Sequence, residues 1–149
     1  MTASWFNKLP TGATPIGVSR GVPRGKSGYH RLRELEPGAW FKSVAAEQYL
    51  TLYGQILDRL DPGAIRDRLL GYGAIPVMLC WEAAHDCHVG GKWCHRHLAA
   101  LWLEDRLGIE VPEVAFSNLD RFAYLRKLNI RMPSYRVPPR SAVPKQRLR

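Results

Sequence analysis

The chain has 149 residues, 46% of them hydrophobic, with 22 basic and 13 acidic side chains and a net charge of +9. That length supplies one domain with a real core and is short for two. No run approaches the roughly 18 consecutive apolar residues of a membrane span, and MTASWFNKLPTG lacks the basic-then-apolar layout of a secretory signal. Three cysteines, an odd count, argue against a closed disulfide framework and fit a reducing, cytoplasmic setting.

Taken in order, residues 1–14 place Trp5, Phe6 and Leu9 among turn formers and read as an irregular lead-in. Pro15 to Arg20 reads as a first strand, with Ile16 and Val18 on one face. The stretch after it gathers Gly21, Gly25 and Gly28 with Arg20, Arg24 and Lys26 into a cationic loop. A glycine-rich basic loop behind a strand can cradle phosphate. Its spacing matches neither the phosphate-binding loop nor the dinucleotide fingerprint, so an ordinary surface loop stands as the alternative.

Tyr29 to Trp40 is a connector with a Glu36-Pro37-Gly38 turn. Ser43 is a candidate N-cap for a helix reaching about Leu60, on which Ala45, Tyr49, Leu52, Tyr53, Ile56, Leu57 and Leu60 recur at helical spacing. Asp61-Pro62 caps and starts a shorter helix that ends at Gly71-Tyr72-Gly73.

Four of the five histidines and all three cysteines then fall between Ile75 and Gly108. Ile75–Cys80 reads as a buried strand with Glu82 just past its end, where general acid/base groups of α/β domains stand. A solvent-facing Glu82 is the plainer alternative. The loop 83–91 carries His85, Cys87 and His88, and a helix begins near Lys92 and stops at Gly108. Cys94 in its first turn, beside Lys92, His95 and Arg96, is expected to have a lowered pKa. The same groups would favour a bound phosphate or carboxylate, with Arg96 as a bidentate anchor. Cys80, inside the strand, reads as core.

Three chemistries compete for this cluster. Cys87, His88, Cys94 and His95, with His97 beside them, offer thiolates and imidazoles for zinc, but at Cys-x6-Cys spacing, with no Cys-x2-Cys or His-x3-His pair. A Cys-x5-Arg phosphatase loop is excluded, because Trp93 and Ala100 stand where arginine belongs. The third is an anion or nucleotide pocket built from Glu82, Cys94, His95 and Arg96. It is the preferred reading and calls for no cofactor, with zinc as the minor alternative.

Leu79-Cys80-Trp81-Glu82, then Cys94-His95-Arg96-His97-Leu98 and Trp102-Leu103, then Gly108 to Glu113, resembles the signature of the domain of unknown function family 488. Its members are small bacterial, archaeal and phage proteins with a Leu-Cys-x-Glu strand end and a Cys-His-Arg helix start. Ile16 to Arg20 and Leu35-Glu36-Pro37 are similar to further elements of that family, so the resemblance covers roughly Trp5 to Val114. The stretch from Ala83 to Trp93 is longer than in many relatives, which reopens the zinc question. The resemblance implies a compact Rossmann-like α/β sandwich and no settled activity.

Ile109–Phe116 reads as a last strand, made an edge or a bulge by Pro112, and Ser117 to Asp120 as the cap of a short helix through Leu128. From Arg121 to the end there are nine basic residues and no acid, so the whole net charge belongs to this segment. Beyond Arg131, four prolines among arginines imply an extended arm. Arg131, Arg136, Arg140, Lys145, Arg147 and Arg149 are expected to meet nucleic-acid phosphates, and Tyr135 to stack on a base. A solvated tail is the alternative.

The sequence thus implies one α/β domain over residues 1–130, with a mostly parallel central sheet and helices on both faces, and a basic arm over 131–149. The expected function is an enzyme on nucleotides or nucleic-acid bases. Arg20, Arg24 and Arg96 would grip an anionic group, Glu82 would act as acid/base, and Cys94 with His95 would serve as nucleophile or polariser. The alternative is a non-catalytic nucleic-acid- or protein-binding module, such as a phage factor acting on host machinery, with a structural Cys/His cluster.

Overall fold

A computed structural model describes residues 1–135. The expectations for Arg136, Arg140, Lys145, Arg147 and Arg149 lie outside the described residues. The chain is an α/β protein built on four parallel strands in the order β1-β4-β2-β3. These are β1 (Thr2–Ser4), β2 (Ala13–Gly17), β3 (His30–Arg31) and β4 (Ile75–Cys80). The central pair, β2 and β4, runs in register from Ala13 opposite Ile75 to Gly17 opposite Leu79. Among the described residues no helix is long and apolar enough to cross a membrane.

Strand alternation decides which layer each side chain joins. Ile16, Val18 and Met78 meet the three long helices, α1 (Ala46–Asp58), α2 (Pro62–Tyr72) and α4 (His95–Leu107), in the main core. Val77 and Leu79 point the other way, to a smaller cluster with Ala3, Trp5 and Val114. The expectation of helices on both faces therefore needs correction. The three long helices share one face, while the other is covered by the N-terminal segment and by loop residues such as Leu9, Val22 and Tyr29. Trp5 lies so close that a Cβ on Gly17 would stand 2.8 Å from its ring, so glycine is required there.

Local chemistry explains most boundaries. Asp61 Oδ1 accepts from the Ala64 N–H at 2.7 Å and Pro62 opens α2, as expected. Gly108 ends α4 in the left-handed region, at φ 65°. Tyr53 on α1 donates its hydroxyl to the Leu35 carbonyl at 2.8 Å, which pins the helix over a short 3-10 turn.

Several expectations shift. Ser43 does not cap α1; its hydroxyl goes back to the Trp40 carbonyl, and Ala45 is the N-cap. The lead-in is not wholly irregular, because Thr2–Ser4 forms an edge strand on β4. Part of the loop 83–91 is a short helix, α3 (Ala84–His88), and α4 begins at His95 rather than near Lys92. The amides of Gly91 and Lys92 bond the Asp86 carbonyl instead, closing a turn.

Ile109–Phe116 makes a single parallel bridge from Glu113 to Thr2 and no strand. Pro112 has no N–H to give, and Ala115 turns to φ 55°. The last helix, α5 (Ala123–Lys127), is shorter than the periodicity implied. Tyr135 is buried in the core and its N–H donates to Asp105, so the packed body continues past residue 130 and Tyr135 is unavailable for stacking on a base.

Candidate functional site

The carboxyl ends of β2 and β4 lie side by side, and the chain leaves both into polar loops. There a cleft of about 660 Å³ opens, the usual place for a ligand in an α/β sheet. Its floor is Cys80 at the end of β4, with Cys94 and His95 at the start of α4. Glu82 stands at its side, and Arg20 and Lys42 line it as cations. Tyr49, Trp81, Trp93 and Tyr124 contribute aromatic walls. Trp81 reaches across to donate its indole N–H to the Gly21 carbonyl at 3.0 Å, joining the two strand exits.

The floor is a compact trio. One ligand-type atom from each of Cys80, Cys94 and His95 lies within 4.8 Å of the others, and all three residues are buried. These three are close enough to hold a metal ion. His95 Nε2 is 2.8 Å from the Val18 carbonyl, which can only accept, so Nε2 carries the proton. In the neutral ring the bare Nδ1 then faces Cys80 Sγ at 3.6 Å. Glu82 Oε2 lies 3.5 Å from the same sulfur.

The electrostatics differ from expectation. Cys94 was expected to be a ready thiolate, but burial pushes its pKa well up and the hydrogen bond with Cys80 adds to the rise, outweighing Arg96 and His95. The helix-start effect loses to desolvation because Cys94, although it lines the cleft, is buried. Burial lowers the His95 pKa, but its contacts with Cys94, the Val18 carbonyl and Glu82 raise it by more. Cys87 is buried beside the other two sulfurs and is pushed up to about 12, mainly by burial.

Arg96 is not an anion anchor. It is fully buried and points away from the cleft, donating to Glu113 at 2.8 Å and to the Glu82 carbonyl at 2.8 Å. His97 Nε2 lies 3.1 Å from the same carboxylate, which also accepts from the Thr2 hydroxyl. Burial alone would raise the Glu113 carboxyl. The bonds from His97 and Arg96 outweigh it and bring the pKa down to about 2. Burial, reinforced by the charge of Arg96, holds His97 down at about 4.

Of the other expected residues, Arg20 lines the cleft and bonds the Pro37 carbonyl, whereas Arg24 is exposed outside it. His88 is exposed and accepts the Asp120 N–H at 3.1 Å, away from the trio. The set Cys87, His88, Cys94 and His95 is therefore replaced by Cys80, Cys94 and His95. Cys80 was passed over because an apolar strand usually buries its cysteine as a small hydrophobe. The signal lay in its place as the last strand residue, two before Glu82. Lys42 carried no sequence signal, since only folding of the 3-10 turn Ala39–Lys42 brings it to the cleft.

No protein-family model, curated protein or solved structure matches the chain.

Proposed function

We propose that the chain is an enzyme-like domain that binds nucleotides or nucleic-acid bases in the cleft at the ends of β2 and β4. The observation that carries this reading is the convergence of Glu82, Cys94 and His95 on one cleft, beside aromatic walls and two cations. A flat base gains dispersion and stacking against Trp81, Trp93 and Tyr49. Its phosphate is met by Arg20 and Lys42, and Glu82 is the acid/base group. Cys94 and His95 act as polarising or ligating groups, since a buried thiol of raised pKa is a poor free nucleophile. Four of the residues shared with the signature of the domain of unknown function family 488, Cys80, Glu82, Cys94 and His95, meet here, while Arg96 and His97 bond Glu113.

The charge supports a polymeric source for the base. The positive excess lies after Asp120, and Arg131, the first of the proposed arm contacts, is exposed. Titrating the full chain with nucleoside 5′-monophosphates should quench tryptophan emission saturably, and Trp81→Phe should reduce the quench. Absence of saturable binding up to millimolar ligand removes the nucleotide reading.

A further inference from the structure

We propose that Cys80, Cys94 and His95 form a zinc site with three protein ligands, whose fourth position opens into the cleft beside Glu82. The geometry of the trio carries this directly. Zinc holds thiolate sulfur at about 2.3 Å and imidazole nitrogen at about 2.0 Å, which at a tetrahedral angle separates the two by about 3.5 Å. Cys80 Sγ and His95 Nδ1 are 3.6 Å apart, and Cys94 Sγ is within 4.8 Å of Cys80 Sγ and of a ring nitrogen of His95. Two sulfurs and one nitrogen select zinc over magnesium or calcium, which take oxygen.

The outer contacts fit as well. A metal-binding imidazole characteristically gives its other N–H to a carbonyl or carboxylate, which fixes the ring. His95 gives Nε2–H to Val18, at the exit of β2, and leaves Nδ1 turned to the thiols. A divalent cation would also supply the charge that two adjacent buried thiols need in order to lose their protons.

Three protein ligands and an open fourth position are the pattern of a reactive zinc site, while closed four-ligand sites are structural. All three ligands line the cleft, so a fourth position left open by the protein would be reachable from it. The Glu82 carboxylate, 3.5 Å from Cys80 Sγ, would be the group at hand to accept a proton from water bound at that position. Cys87, the one other sulfur nearby, is buried and does not line the cleft. The metal site rests on the trio alone; only the use of its fourth position rests on the nucleotide reading above.

The test is metal binding by the full chain, purified with reductant and dialysed against zinc or cobalt(II). One zinc per chain is expected, and the cobalt form should show the visible bands of a tetrahedral ion with sulfur-to-cobalt charge transfer in the near ultraviolet. Zinc should shield the thiols of Cys80 and Cys94 from alkylation in the wild-type chain, a readout independent of whether variants fold. Cys80→Ser and Cys94→Ser should each weaken zinc binding by about 100-fold or more, beyond the ten- to hundred-fold typical of losing an outer contact. Cys87→Ser should keep full stoichiometry. No zinc in the wild-type chain, or unshielded thiols, overturns the site. Equal loss in Cys87→Ser overturns the open position and makes the centre a closed structural one. Running the nucleotide titration on zinc-loaded and zinc-free chain separates the failures: zinc bound with no nucleotide response sinks the cleft reading alone, and nucleotide bound with no zinc sinks this inference alone.

Discussion

Cys94 and His95 differ from Arg96 and His97 in what each pair was given to bond. The first pair lines a cleft, and its polar atoms meet the Cys80 sulfur and the Val18 carbonyl. The second pair, one helical step on, is buried around a single carboxylate that takes bonds from Arg96, His97 and Thr2. Consecutive helix residues lie about 100° apart, so four adjacent buried polar residues are divided between the cleft lining and the core around Glu113. Taking an ion pair out of water is costly unless its hydrogen bonds are made, and the Glu113 network makes nearly all of them. The cleft trio has spare bonding capacity, and that is where chemistry is to be sought.

The largest test of this contrast removes the shared carboxylate. Glu113→Gln leaves Arg96 buried without its counter-charge and should cost about 3–5 kcal/mol by chemical denaturation. Adding Arg96→Met should recover much of that loss. A double variant no more stable than Glu113→Gln would mean that the network is not balanced in this way.

Acid attacks the same half. His97 titrates at about 4 in the folded chain against 6.5 ordinarily, so the unfolded chain takes up the proton first as pH falls. Stability should therefore decline between pH 6.5 and 4, and protonation of Glu113, whose pKa falls from 4.5 to about 2, should extend the decline below pH 4.5. His97→Gln should flatten the upper part of a Tm-against-pH curve; an unchanged slope would point to other groups.

Smaller effects are expected away from the network. Asp61→Ala loses the cap on α2 and should cost about 1 kcal/mol. Glu82→Gln sits half-buried at the cleft and should change stability by no more than about 0.5 kcal/mol, while abolishing any turnover. A large stability loss from this variant would place Glu82 with the structural half.

These halves were unequally legible in the sequence. Strand, loop and helix between Ile75 and Gly108 could be read from an apolar run, glycines and helical spacing, and so could the neighbourhood of Glu82, Cys94 and His95. The division of Cys94 to His97 could not, because it depends on the rotation of α4 about its axis, which tertiary packing sets. Glu113 passed unnoticed as one acid in an extended segment, since nothing local shows that it lies against a helix sixteen residues earlier. The missing final strand and the burial of Tyr135 were hidden for a related reason: both turn on partners distant in the chain.

Arg96 touches both halves. Its guanidinium spans from the Glu113 carboxylate to the backbone oxygen of Glu82, whose own side chain looks into the cleft. The backbone that carries the Glu82 side chain is thus held by a clamp rooted in the interior. A lysine at 96 would preserve the charge, but its single ammonium has no planar fork to hold both anchors. Such a chain would fold and yet turn the Glu82 carboxylate astray, so a fault planted in the core would surface at the cleft.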